Sequence, residues 1–159
     1  LEVIRTPMVR PEPDAPEGHR GRHNGLAAYD AWAAYLRDDA AWSDDEATLR
    51  QLHEPHNEAV GVVAEARWYG AQFLAMAAES LAGGPGCVGT SEHAYRAAAC
   101  YASQHDLMWQ VWDLAGGNGC PEAHLHMDDA AVRHAMAEII LQARAKEAEA
   151  AEQMELALS

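Results

Sequence analysis

The sequence predicts an all-α protein: an antiparallel bundle of three long helices, a shorter amino-terminal helical hairpin and an extended amino-terminal arm. Alanine, the strongest helix former, accounts for 34 of the 159 residues. Apolar residues recur at intervals of three and four, which is the period of a helix with a buried face. Clusters of glycine and proline separate these stretches, and the single Phe and three Ile leave little of the composition that sheets favour.

One domain is expected from a chain of this length, over residues 24–159. Residues 1–23 are predicted to form an extended arm. The apolar stretch Leu1–Ile4 would be a strand without a partner, which predicts that a missing amino-terminal domain once paired with it. The residues that exclude a helix in the arm are Pro11, Pro13, Pro16, Gly18 and Gly21.

The amino-terminal hairpin is predicted from two capping signals. Asn24 is a good N-cap for a first helix from Gly25 to Asp39. Ser43 and Glu46 have the spacing of a capping box, which predicts a short second helix that ends at Pro55.

A long helix is then predicted from Asn57 to about Ala82, with apolar residues on two faces. One stripe contains Val60, Val63, Arg67, Ala71, Leu74 and Leu81, and the other contains Val62, Tyr69, Phe73 and Met76. Because both faces are apolar, we expect this helix to be central.

Two further long helices complete the predicted bundle. The first leads from Gly89–Ser91 to about Ala115. The second opens at Asp128 or Asp129, and its helix-favouring end, residues 146–152, is expected to project beyond the bundle.

Charge excludes some classes of partner. Eleven Lys and Arg against 25 Asp and Glu leave a net charge of −14, so neither nucleic acid nor an anionic membrane surface is an expected partner. No apolar run reaches the length of a membrane span. The three cysteines contain no CxxC pair and are odd in number, which predicts a cytoplasmic protein, with a single disulfide as the alternative.

Polar residues that interrupt apolar stripes mark a candidate site. Arg67, His105 and Glu147 are such residues, and a bundle interior tolerates charge only when it is paired. We expect a buried Arg–Glu–His cluster that orients a small ligand or performs acid–base chemistry. The alternatives are a structural polar network and a Glu147 exposed beyond the bundle end. Aromatic residues that could line the cavity are Tyr29, Tyr69, Tyr101, Trp68, Trp109 and Trp112.

Nine histidines suggest a metal site. No Glu-x-x-His occurs, so a carboxylate-bridged di-iron bundle is not expected. His53 with His56, and His124 with His126 beside Cys120 and Asp128, could assemble a zinc-type site. The alternative is that these turn histidines are solvated or bond to helix ends. No other cofactor is predicted.

Three runs resemble helical segments of a known family: Gly25–Trp32, His56–Val60 and Ala64–Tyr69. They are similar to segments in proteins related to the butirosin-pathway acyltransferase, which carry a papain-like or C39-like cysteine domain. The similarity extends from Leu1 to about Leu158 if Leu1–Ile4 is a strand of such a domain. It implies acyl transfer or amide chemistry by a Cys–His pair. Because the chain shows no such pair, the resemblance implies an accessory helical region that shapes a substrate pocket or an oligomer interface.

Together these patterns predict a small-molecule-binding or interaction module, and a missing amino-terminal domain would make it the helical accessory part of a larger enzyme. The alternatives are a metal-dependent or metal-binding protein that uses the loop histidines, and a structural homo-oligomeric bundle. The alanine-rich helix faces with aromatic residues favour a homo-oligomer, because such faces need covering.

Overall fold

The computed structural model describes residues 23–42, 45–84, 87–117 and 122–159. Over these residues the chain is a helical bundle without strands, which confirms the prediction of an all-α bundle. Helices α1 and α2 span Leu26–Arg37 and Glu46–Ala82, and α3 and α4 span Val88–Leu114 and Ala130–Leu158. Two short 3₁₀ helices, Asp39–Ala41 and Ala123–Met127, lie in the connections. Residues 1–22 of the predicted arm, which spans residues 1–23, lie outside the described part.

The predicted break at Pro55 is wrong, because α2 continues through it. The helix begins after Asp45, whose Oδ2 accepts a hydrogen bond of 2.9 Å from the Thr48 amide. Pro55 is exposed on the solvent side. A proline lacks one backbone donor, and here the packing of the helix on both sides of it outweighs that loss. The short second helix and the long helix are therefore one element, and no separate helical hairpin forms. Ser43, the predicted cap, lies outside the described residues.

The core divides into two clusters along the bundle. One contains Leu36, Leu49, Val60, Met108 and Ile140, all at most 1% exposed. The other joins α2, α3 and α4 around a few large side chains and many alanines, which allow close packing: Ala71, Leu74, Ala97, Tyr101, Ala150 and Met154. The end of α4 packs in this second cluster, so the expectation that it projects beyond the bundle is wrong.

The second apolar stripe of α2 is exposed, so the prediction of a central helix is also wrong. Val62, Tyr69, Phe73 and Met76 are 62%, 70%, 57% and 66% exposed. The opposite face of α2, with Val60, Ala64, Ala71, Leu74 and Ala78, is buried. Periodicity identified two apolar faces correctly, but the described neighbours cover one of them. None of the described helices combines the length and apolarity needed to cross a membrane.

Candidate functional site

Arg67 of α2 and Glu147 of α4 form a bidentate ion pair inside the bundle. Nε of Arg67 donates to Oε2 of Glu147 at 2.6 Å, and Nη2 donates to Oε1 at 2.8 Å. The Glu147 side chain is 1% exposed and that of Arg67 is 24% exposed. Burial opposes the charge of Arg67, but the Glu147 carboxylate outweighs it and the pKa of Arg67 lies above its ordinary value. The guanidinium of Arg67 therefore keeps its charge, and the two hydrogen bonds hold it in a fixed geometry.

Tyr29 and Gln104 complete the polar network around this pair. Oε1 of Gln104 accepts from Nε of Arg67 at 3.1 Å, and Nε2 of Gln104 donates to the Tyr29 hydroxyl. That hydroxyl donates to Oε2 of Glu147 at 3.2 Å. Burial, followed by the nearby carboxylate of Glu147, raises the pKa of Tyr29 well above its ordinary value. Tyr29 therefore keeps its proton as a donor at neutral pH.

Tyr101 supports the guanidinium of Arg67 from beneath. Cζ of Arg67 lies 5.0 Å from the centroid of the Tyr101 ring, a cation–π contact, and Tyr101 is 2% exposed. Burial, with a smaller contribution from Glu147, raises the pKa of Tyr101 to about 12. Gly70 permits this contact, because a Cβ there would lie 2.9 Å from the ring.

His105 does not join the cluster, so the expected Arg–Glu–His arrangement is wrong in its third member. Nδ1 of His105 donates to the neighbouring Asp106 at 2.9 Å, and Nε2 accepts from Nε1 of Trp109 at 2.8 Å. Its ring packs 5.2 Å from that of Trp68. One residue is about 100° of helix rotation, and Gln104 occupies the azimuth that faces Arg67. Gln104 is 0% exposed. Because its side chain is uncharged, there was no reason in the sequence to place Gln104 in the buried polar cluster.

The structure separates the expected aromatic lining residues. Tyr69 is 70% exposed and lies on the outer face of α2. Trp112 is half-buried near the end of α3, where it packs edge-on against Trp109 at 5.4 Å. Tyr29 does line a cleft beside the Arg67–Glu147 pair, and Tyr101 is buried beneath the pair.

An open cleft of about 240 Å³ lies beside the ion pair, between α1, α2 and α4. Mostly apolar or small residues line it: Gly25, Ala28, Tyr29, Trp32, Val63, Arg67 and Glu147. Two nitrogens of Arg67 are engaged by Glu147 and Gln104. Nη1 has no hydrogen-bond acceptor among the residues that the structure describes. The cleft therefore combines an apolar wall with a charged donor that has unused hydrogens.

His56 holds Trp32 at one side of this cleft. Nε1 of Trp32 donates to Nδ1 of His56 at 3.2 Å, and the two rings are edge-on at 5.5 Å. His56 is buried, and burial lowers its pKa to about 4, with a smaller effect from His53. The imidazole is therefore neutral at pH 7, with its proton on Nε2. This nitrogen has no partner within the described part of the chain.

Two of the four candidate metal-binding histidines donate to carbonyls at the end of α3. Nε2 of His53 donates to the Ala115 carbonyl at 2.9 Å, and Nδ1 of His126 donates to that of Leu114 at 3.1 Å. His124 contacts Oε1 of Glu46, in the first turn of α2, at 3.2 Å. Asn57 adds a bond of 3.1 Å to the Gly117 carbonyl. The end of α3 thus receives donors from α2 and from the second 3₁₀ helix.

The zinc hypothesis remains a prediction. Over the described ranges, no three His, Cys, Asp or Glu side chains are grouped so that they could hold a metal ion. Cys120, the proposed thiolate neighbour of His124 and His126, lies outside those ranges. Elemental analysis of the untagged protein is the direct test.

No protein-family model, curated protein or solved structure matches the chain. The resemblance to the relatives of the butirosin-pathway acyltransferase remains a prediction.

Proposed function

We propose that the protein binds a small, largely apolar molecule in the cleft between α1, α2 and α4. The observation that carries this proposal is the position of Arg67. Two hydrogen bonds to Glu147 hold its guanidinium in place. The guanidinium also lines an open cleft, and its Nη1 has no acceptor among the described residues. Ligand sites in proteins commonly join an apolar wall to a few positioned polar groups. The cleft has this composition.

The charges and size of the cleft define the ligand class. Glu147 neutralises Arg67, and the whole chain carries −14, so the site does not favour an anion. A neutral carbonyl group can accept from Nη1 without displacing Glu147. The volume of about 240 Å³ is below the usual range for drug-sized ligands and suits a single ring or a short aliphatic chain.

The surrounding contacts support binding with little rearrangement. Trp32 is oriented by His56, Arg67 by Glu147 and Gln104, and Tyr29 by Glu147. A site whose side chains are already fixed loses less conformational entropy when a ligand binds.

A matched pair of small probes tests the proposal. Acetophenone offers a ring and a carbonyl acceptor, and ethylbenzene offers the ring alone. We expect acetophenone to shift the NMR resonances of the Gly25 and Ala28 amides and of the Trp32 indole. Ethylbenzene should bind up to about tenfold more weakly, because it lacks the hydrogen bond to Arg67.

Two alanines of α1 provide the variants. Ala28 lines the cleft, whereas Ala34 is exposed outside it. Ala28→Leu should fill the cleft and abolish the acetophenone shifts, and Ala34→Leu should leave them unchanged. Shifts that persist in Ala28→Leu, or equal affinity for the two probes, would contradict the proposal.

We also propose that the three long helices run antiparallel in chain order. Contacts between α2 and α3 support this direction, because residue numbers fall along one helix as they rise along the other: Ala78 with Ser91, Arg67 with Gln104 and Gly61 with Trp112. Between α3 and α4, His93 contacts Gln153. Spin labels at the ends of α2 and α3 would test the direction by distance measurement.

A further inference from the structure

The exposed face of α2 carries a regular heptad pattern. We call this face the outer stripe, defined by Ala59, Val62, Ala66, Tyr69, Phe73, Met76 and Ser80, all exposed. Their spacing alternates between three and four residues over three heptads. This is the spacing of the a and d positions of a coiled coil, the seam along which another helix packs. Four large apolar side chains on one exposed seam indicate a covered surface in the functional state.

One edge of the outer stripe is acidic. Glu58, Glu65, Gln72 and Glu79 follow one another at seven-residue intervals, all exposed, in the flanking position of the same heptads. None of the three glutamates forms an ion pair with another described residue. The opposite edge, with Val63, Gly70 and Ala77, is small and apolar. Flanking charges of this kind select the partner of a coiled coil and its orientation.

A second copy of this chain does not complement that edge. In an antiparallel pair the two acidic edges would face each other, and like charges would repel. In a parallel pair each acidic edge would face the partner's apolar edge and gain no ion pair. Each copy also carries a net charge of −14. A helix with basic residues beside its apolar seam complements both the stripe and its edge.

We propose that the outer stripe docks an amphipathic helix of a different protein, with an apolar seam and Lys or Arg along the flank that meets Glu58, Glu65 and Glu79. This is helix-on-helix recognition, in which apolar anchors supply affinity and flanking charges supply specificity. The stripe lies on the face of α2 opposite the core, and only its apolar edge borders the ligand cleft, at Val63.

Two designed peptides of three heptads test this proposal. Both carry Leu at every a and d position; one has Lys at the flanking e and g positions and the other has Glu. We expect the Lys peptide to bind at least about tenfold more tightly than the Glu peptide, because charge pairing at the flanks governs partner choice. This preference should weaken as salt is raised. Fluorescence anisotropy of labelled peptides measures both affinities.

Variants of exposed residues test whether the peptides bind to the outer stripe or to another part of the surface. The double variant Tyr69→Ser/Phe73→Ser should weaken binding of the Lys peptide by at least about tenfold. The triple variant Glu58→Lys/Glu65→Lys/Glu79→Lys should reverse the preference between the peptides. Leu125→Ser, at a 45% exposed apolar residue of the second 3₁₀ helix, should change neither affinity. Circular dichroism should show unchanged helix content in all three variants.

Three results would overturn the proposal. The first is equal binding or no binding of the two peptides. The second is a dimer in sedimentation equilibrium that Tyr69→Ser/Phe73→Ser converts to a monomer, since a second copy would then cover the stripe. The third is binding to phosphatidylcholine vesicles that the same double variant abolishes, since a lipid surface would then be the occupant.

Discussion

Arg67 and Glu147 lie 80 positions apart in the chain and meet through two hydrogen bonds of 2.6 and 2.8 Å. The pair links the middle of α2 to the middle of α4, with Tyr101 beneath it and the apolar cleft beside it. It therefore contributes both to the packing of two long helices and to the chemistry of the candidate site.

Removal of either member of this pair should destabilise the protein. Arg67→Met leaves a buried carboxylate without its partner, and Glu147→Leu leaves a half-buried guanidinium. We expect each single change to lower the free energy of unfolding by about 3–5 kcal/mol, and the double change to cost much less. Urea unfolding of the four proteins measures these energies. Additive losses in the double variant would show that the two residues do not act as a pair.

The buried His56 should make stability depend on pH. Its pKa is about 4 in the folded chain and near 6.5 in the unfolded chain, so between these values only the unfolded state takes up the proton. This stabilisation is complete above pH 6.5 and is lost as the pH falls towards 4, by about 3 kcal/mol in total. Burial also lowers the pKa of His53, which adds to the loss in the same direction.

Urea unfolding between pH 4 and 7 measures this dependence. His56→Gln keeps an acceptor for Trp32 and should flatten the slope. His134→Gln, at an exposed histidine of α4, is the control. The same slope in His56→Gln and the parent protein would exclude His56 as its source.

Two glycines of α2 should respond in opposite ways to alanine. At Gly70 a Cβ would lie 2.9 Å from the buried Tyr101 ring, which cannot move without disturbing Arg67. Gly70→Ala should therefore destabilise the protein despite its better helix propensity. At Gly61 the nearest atom is 3.4 Å away, on Trp112, so Gly61→Ala should stabilise the protein by up to about 1 kcal/mol. Thermal unfolding distinguishes the two, and a gain in both would show that Tyr101 is free to shift.

The end of α3 should loosen when one of its two hydrogen-bond donors from α2 is removed. Asn57 is 1% exposed and donates to the Gly117 carbonyl. We expect Asn57→Leu to cost about 1–3 kcal/mol, because that carbonyl loses its partner. Hydrogen exchange should accelerate in the last turn of α3 more than in its middle. His126→Ala, at an exposed position, should have a smaller effect on the same amides. Uniform acceleration along α3 would indicate global rather than local destabilisation.

The sequence identified Arg67 and Glu147 but chose the wrong neighbour in α3. A charged residue in an apolar stripe is visible without coordinates, because burial of an unpaired charge is costly. Gln104 carries no such mark, and the azimuth of α3 about its axis depends on how it packs against α2. Pro55 is a similar case: its ring and missing donor predicted a helix end, and contacts made by His53, His56 and Asn57 on either side of it sustain the helix.

The sequence by itself determined the helical class, the periodic faces and the charges that need partners, because these follow from local propensity and from the 3.6-residue period. Tertiary structure alone decided which apolar face of α2 is buried, which side chains meet at the ion pair and where a cleft remains open. These outcomes depend on the relative positions of residues 37 to 118 places apart in the chain. Local sequence patterns do not specify which residues far apart in the chain come into contact.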